Sequence, residues 1–450
     1  MKRVVIVGSD FSPSSLPPAT RIRFFAKHLP EFGWEPIVLT TKPEYYDWKI
    51  DPENEELLPE LLKVVRTDAW RSSWTRRLGI GDVGMRSLWH HWRALKRICK
   101  ESKVDLVFIP VPPSVPMILG RLAHERLGIP YVVDYIDPWV TEYYWKRPKH
   151  ERPPKWPIAY ALSRILEPFA LKKVGHITGV SAGTTDSVIS RYSRLSAADA
   201  TEIPYGAEPG DFDYLRDHPR KNSIFNKDDA LFHLSYVGAC IRGMYPTVRA
   251  LFQAVRLGLD KQPELFSRLR LHFVGSSYSY NGASPAQVAE IAGEIGIADY
   301  VDEKPGRVPY LDSLQIMLDS DGLFLVGSDE PHYTASKVFP YLLAGRPLLA
   351  IFREESSVVK IVRESGVGSV IAFNASEPPN AHSEEIFERL LEMLSSPPLD
   401  RRRSPSTIIE QYSTREMAFR LSTVFDRATR NREDKSRFIQ KSKSAIDGAA

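Results

Sequence analysis

Residues 323–349, LFLVGSDEPHYTASKVFPYLLAGRPLL, read as strand, polar loop, short helix, turn and strand. Leu323–Val326 is a short apolar run, and Gly327-Ser328-Asp329 supplies turn residues. Thr334 or Ser336 is placed to cap a helix whose first turn holds Lys337, which would leave backbone N–H groups facing the loop. Such an end attracts phosphate, and a lysine ammonium adds a point charge aimed at the same anion. Gly345 closes the helix, and Arg346-Pro347 opens the next strand. Taken alone, the stretch is equally an ordinary βαβ connection with a solvated lysine. Its setting in the chain decides the matter.

At 450 residues the chain is too long for one core, so two domains of roughly 200 residues each are expected. Composition is 43% hydrophobic and 26% charged, ordinary for a globular protein, and the net charge of +4 excludes little. Cys99 and Cys240 lie far apart without metal-ligand spacing, which argues against a disulfide framework and a zinc site and fits a reducing cytoplasm. The N-terminal apolar run VVIVG is too short for a secretory signal, and no run is long enough to cross a bilayer. Membrane contact is therefore expected to be peripheral.

The first half alternates strand and helix. Val4–Val7 ends in Gly8-Ser9 and a loop to Thr20, the pattern of a buried parallel strand with a ligand-facing loop at its carboxyl end. Ile22, Phe25, Ala26 and Leu29 fall at helical spacing, and Pro36–Thr40 is the next strand. No G-x-G-x-x-G follows the first strand, so a dinucleotide-binding signature is missing. Further strands are predicted at Leu61–Val65, Leu106–Pro110, Tyr131–Asp134 and His176–Val180. An open parallel sheet binds ligands beyond its strand ends, here the loops at Ser9–Thr20, Pro110–Pro116 and Asp134–Trp139.

Two segments of this half stand apart. Trp70–Lys100 holds eight Lys/Arg residues against one acid, Asp82, with Trp70, Trp74, Trp89 and Trp92 interleaved. Such a surface suits anionic headgroups; the plainer account packs the tryptophans inward and leaves the arginines solvated. Trp139–Lys155, rich in aromatic and basic residues, reads as a flap followed by an apolar helix at Pro157–Leu171.

The second half repeats the plan. Residues 207–229 are acidic, polar and turn-rich, as an interdomain linker would be. Phe232–Val237 restarts a strand that closes in Gly238-Ala239-Cys240-Ile241-Arg242-Gly243 before a helix, so Arg242 is a second candidate phosphate contact. Leu271–Val274, Leu349–Phe352 and Val370–Phe373 continue the sheet, with Val301–Pro309 read as a turn. Ser413–Ala428 is a final helix, and the charged tail is expected to be irregular.

In order along the chain, VIVGSDFSP, VDYIDPWV, ITGVSAGTT, IPYGAEPGDF, SYVGACIRGMYPTVRAL, LHFVGSS and SDEPHYTASKVFPYLLAGRPLL resemble GT-B glycosyltransferases of the retaining, family 4-like kind. The resemblance spans residues 1 to about 428. It implies an α/β fold of two Rossmann-like doubly wound parallel-sheet domains facing across a cleft. The N-terminal, acceptor-binding domain would take 1–205, a linker 206–229, and the nucleotide-sugar-binding domain 230–412, with a crossover helix at 413–430 and a disordered tail at 431–450. A UDP- or GDP-sugar would be the donor, with no metal or other cofactor, and a glycan or lipid-linked hydroxyl the acceptor.

By the same resemblance Arg242 and Lys337 hold the diphosphate, with Gly238, His332, Thr334 and Ser336 around it, and backbone at Arg307-Val308 contacts the base. Ser15, Arg21 and Trp139 would orient the sugar and acceptor. Asp134 and Asp137, three apart at a strand end, bind the acceptor or act as general base; alternatively Asp137 caps the turn before Pro138. Arg23 reads as a surface residue. Many relatives carry two glutamates eight positions apart in the nucleotide loop, where alignment on Lys337 puts His332 and Pro340 here. Pro17-Pro18 replaces the usual glycine pair, and Pro110 stands in for a strand-end histidine. The missing glutamates motivate a second reading, an inactive GT-B binding subunit, and a nucleotide-sugar epimerase of the same fold is disfavoured because its carboxylate and histidine set is not seen. Nothing beyond the basic Trp70–Lys100 stretch points to nucleic acid.

Overall fold

The computed structural model describes residues 1–146, 148–149, 152–153, 155–277, 286–330, 333, 335–396 and 410–447, with backbone alone at 78, 143, 146 and 431–447. Two compact units result, Met1–Pro204 with Thr414–Ala450, and Tyr205–Ser413.

In the first unit, strands β1 (Lys2–Val7), β2 (Trp34–Thr41), β3 (Lys63–Thr67), β4 (Leu106–Val111), β5 (Tyr131–Tyr135), β6 (His176–Gly179) and β7 (Ala200–Glu202) form one parallel sheet. Their order is β3-β2-β1-β4-β5-β6-β7, so the winding reverses between β1 and β4. Because strand side chains alternate, Val4 and Ile6 join α1 (Pro17–His28) and the last helix (Thr414–Asp447) in one core, with Phe25, Phe108, Leu421 and Phe425. Val5 and Val7 face the other layer, α2 (Val83–Glu101), α3 (Met117–Leu127) and α4 (Trp156–Leu171), whose Leu95, Ile98, Leu119 and Leu171 fill the second core. Full burial on both faces is why β1 and β4 read as unbroken apolar runs.

After α5 (Ala182–Ile189), the second unit begins with α6 (Pro209–Asp217). Its strands are β8 (Phe232–Val237), β9 (Leu269–Val274), β10 (Val301–Lys304), β11 (Gly322–Val326), β12 (Leu348–Arg353) and β13 (Gly368–Phe373). They are parallel in the order β10-β9-β8-β11-β12-β13, reversing between β8 and β11.

Three expectations are corrected. The third strand lies two residues later than predicted, since pairing of Ile37 with Lys63 sets its register and Leu61 is left exposed. The stretch read wholly as linker contains α6, started by the Glu208 carboxylate accepting from Gly210 N and fixed by Phe212 and Leu215. Val301–Lys304 is an edge strand rather than part of the turn, recruited by β9. The last helix contains the predicted one and continues in helical backbone past residue 430 to Asp447, a run without Gly or Pro.

Candidate functional site

The second unit brings its candidate residues to the point where the winding reverses, at the carboxyl ends of β8 and β11. Loops after β8, β9 and β10 are laced together by backbone bonds: Gly238 N to Val274 O and Cys240 N to Ser276 O, both 2.7 Å, and Gly275 N to Lys304 O at 2.8 Å. The β11 loop joins them through Asp329 N to Gly243 O at 3.0 Å and Thr247 Oγ1 to Gly327 O at 3.0 Å.

Lys337 crosses this reversal point. Its ammonium donates to Tyr236 Oη at 2.7 Å and Ala239 O at 3.2 Å, and lies 4.1 Å from the centre of the Tyr236 ring. One turn on, Tyr341 Oη accepts from Val237 N at 2.6 Å, so two side chains four apart clamp the end of β8. Gly238 is required here: its φ is +131°, and a Cβ would come 2.7 Å from Lys337 Nζ. Burial, partly countered by Cys240 and reinforced by the positive charge of Arg307, brings the lysine down to about 7. Among the described residues no carboxylate pairs with it. The neighbouring Cys240 thiol is pushed up to about 12 by burial and is inert.

The local helix differs from expectation. The helix Val338–Ala344 starts one residue after Lys337, which occupies the N-cap with no side-chain cap, so Ser336 does not cap it. Pro340 in its first turn has no N–H to offer, and Val338 N is already bonded to Ala335 O at 3.1 Å. Charge at this site therefore comes from the side chain, not from a row of helix N–H groups. Arg242 is exposed in the turn before α7 (Tyr245–Lys261), Arg307 and Val308 are half-buried in the loop after β10, and Ser336 is half-buried beside Lys337. His332 and Thr334 lie outside the described residues.

In the first unit two candidate residues are bonded to each other. Asp134 is fully buried and accepts from Arg21 Nε at 2.6 Å, Arg21 Nη2 at 2.9 Å and Thr178 Oγ1 at 2.6 Å. Arg21 also donates to Ile203 O at 2.8 Å and Pro204 O at 2.9 Å. This buried pair fastens α1 to β5 and to the last residues of the unit. Arg23, read as surface, is buried against the Phe24 ring. Asp137 is exposed just beyond the end of β5. Ser15 is half-buried in the loop after β1, and Trp139 packs partly onto the core beneath β5.

Sequence reading missed the group at this sheet's own reversal point. Asp10, directly after β1, is buried, accepts from Ser14 Oγ at 2.6 Å, and is raised to about 6 by that burial, with Asp82 adding to it. Ser9 beside it is buried, and its Oγ has no partner among the described residues. The signal was available: an acid immediately beyond a Gly-Ser strand end at the first β-α turn.

Residues 18–206 match the family model described as the glycosyl transferase 4-like domain. Among solved structures, the sucrose-phosphate synthase of Thermosynechococcus elongatus superposes with a TM-score of 0.61 at 13% identity, covering 95% of this chain and 98% of that one. A glycosyltransferase from Rickettsia africae gives 0.59 at 13% identity, with 96% and 99% covered. Anabaena HepE, solved with UDP and glucose, gives 0.58 at 12% identity, with 95% and 100% covered. No curated protein sequence matches the chain. The chain thus has the GT-B fold of two Rossmann-like domains, and over residues 18–206 it is similar to the glycosyl transferase 4-like domain.

Proposed function

We propose that the chain is a glycosyltransferase moving a sugar, of the hexosyl kind, from UDP- or GDP-sugar to a hydroxyl of a glycan or lipid-linked acceptor in polysaccharide assembly. Transfer proceeds with retention of anomeric configuration and without a metal or other cofactor. The observation that carries this reading is Lys337: a shielded ammonium at the reversal point of the second sheet, answered among the described residues by neutral oxygens. As the bond from the sugar to the diphosphate breaks, negative charge grows on the departing phosphate, and a fixed cation lowers that barrier. Arg242 assists, and the loop at Arg307-Val308 receives the base. Asp137 replaces Asp134 as the carboxylate that engages the acceptor hydroxyl, because it alone of the two is exposed. The neighbour solved with UDP and glucose supports a uridine donor by analogy of fold.

We place the protein in the cytoplasm, in peripheral contact with an anionic membrane. Supporting this, Trp70, Trp74 and Trp89 are exposed, as are Arg71, Arg76, Arg77 and Arg93, while Trp92 packs partly onto the core as the plainer account has it. Arg86 of the same stretch is buried, held by Asp47 and by the carbonyls of Tyr45 and Trp70. Thermal-shift measurements with UDP, GDP, ADP and their sugars test the donor assignment. A uridine or guanosine diphosphate is expected to raise the melting temperature in a concentration-dependent way, and no response to any nucleotide would contradict the assignment.

A further inference from the structure

The helix α4 is inside out. Its buried face carries Glu167, fully enclosed, accepting from Tyr192 Oη at 2.6 Å, Tyr135 Oη at 3.1 Å and Arg191 Nη2 at 3.2 Å. Those bonds, with Ala170 and Leu171 in the core, fix the rotation of the helix about its axis. The opposite face therefore presents Ile158, Leu162, Ile165 and Phe169 at spacings of four, three and four, one continuous stripe. Ile158 is 73% exposed and Ile165 67% exposed. A surface helix of a protein surrounded only by water places its isoleucines inside and its glutamate outside.

The rim of the stripe is basic. Lys155, Arg164, Lys172 and Lys173 are exposed, and between Lys155 and Gly175 the acid is Glu167, which is buried. Arg121 of α3 lies over the Phe169 ring at 5.2 Å. α4 belongs to the same helical layer as α2, whose outer residues include Trp89, Arg93 and Lys96.

We propose that the outward face of α4 is a membrane-docking element: Ile158, Leu162, Ile165 and Phe169 enter the boundary between headgroups and acyl chains of an anionic bilayer, with the flanking lysines and Arg164 on lipid phosphates. The charge pattern selects a bilayer over a second copy of this chain, because pairing two such faces would set their basic rims against each other. The inference rests on the lipid-linked acceptor reading for its purpose only; docking requires neither donor nor acceptor.

The test is co-sedimentation of the full chain with phosphatidylcholine vesicles, with and without phosphatidylserine, alongside calorimetry with UDP. Wild type is expected to bind the anionic vesicles, and Ile158→Glu/Ile165→Glu to bind them at least about tenfold more weakly. UDP affinity of that variant stays unchanged, which shows it is folded and keeps the donor site out of the question. Lys172→Ala/Lys173→Ala is expected to weaken binding by about severalfold on anionic vesicles alone. Wild type that sediments with neither vesicle overturns the proposal, as does a glutamate variant that binds like wild type, which would leave docking to the Trp70–Lys100 surface. So does a wild-type dimer that the glutamate variant dissociates without any vesicle binding, the signature of a protein partner.

Discussion

Two shielded cations near strand ends, Arg21 in the first unit and Lys337 in the second, are answered differently. Arg21 meets a carboxylate built into the fold, Asp134, and also donates to two backbone carbonyls. Lys337 meets a phenol and a carbonyl, and burial lowers its proton affinity. A buried charge with its counter-ion supplied is architecture, whereas one without it is a site that an incoming anion completes. The sequence shows two basic residues near two strand ends and does not distinguish them; only the partners do.

The comparison breaks most visibly at the paired site. Asp134→Ala leaves the Arg21 guanidinium buried without its carboxylate, and denaturant unfolding is expected to show a loss of about 3–5 kcal/mol. Removing the cation of the second unit should behave in the opposite way, with Lys337→Met costing the empty protein little or nothing. Between these lies Gly238→Ala, which forces a side chain to φ +131° and into the ammonium. Strain of this kind is about 1–3 kcal/mol, and UDP affinity should fall with stability.

A subtler contrast is in pH. Folding lowers Lys337 from its ordinary 10.5 to about 7, so between those values the unfolded chain holds more protons and stability should rise with pH. Lys337→Met is expected to lose that slope in melting temperatures measured from pH 7 to 9. Asp10 has the reverse sign. Its carboxyl is raised from 3.8 to about 6, so its contribution to stability falls as pH rises through that window. Asp10→Asn should flatten the acid side of the profile and leave stability at neutral pH equal or slightly higher; a stability loss there would mean the carboxylate is structural.

Much of the fold was legible because parallel strands buried on both faces are apolar runs bounded by turns, as at Val4–Val7 and Phe232–Val237. Lys337 was legible from its place between strand and helix, although its helix begins later than Ser336 and Thr334 suggested. Other features depend on contacts between residues far apart in the chain. Asp134 reads as a candidate carboxylate at a strand end, and nothing local shows that Arg21, 113 positions earlier, pairs with it. α6 reads as linker because its polar face dominates nine residues, and the few that hold it, Phe212 and Leu215, are too sparse to form a pattern. The exposed stripe of α4 was undecided in sequence because nothing local shows that Glu167 turns inward to Tyr135 and Tyr192.

The central claim is that Lys337 awaits a diphosphate, and calorimetry of UDP binding at pH 8 in two buffers of different ionisation heat tests it most directly. At that pH the lysine of the empty protein is mostly neutral, so binding should draw in up to about one proton as the ammonium is restored. Lys337→Met should bind about 10–100-fold more weakly, the size of a lost charge-assisted contact, and take up no such proton. Equal affinity and equal proton uptake in the two proteins would contradict the account.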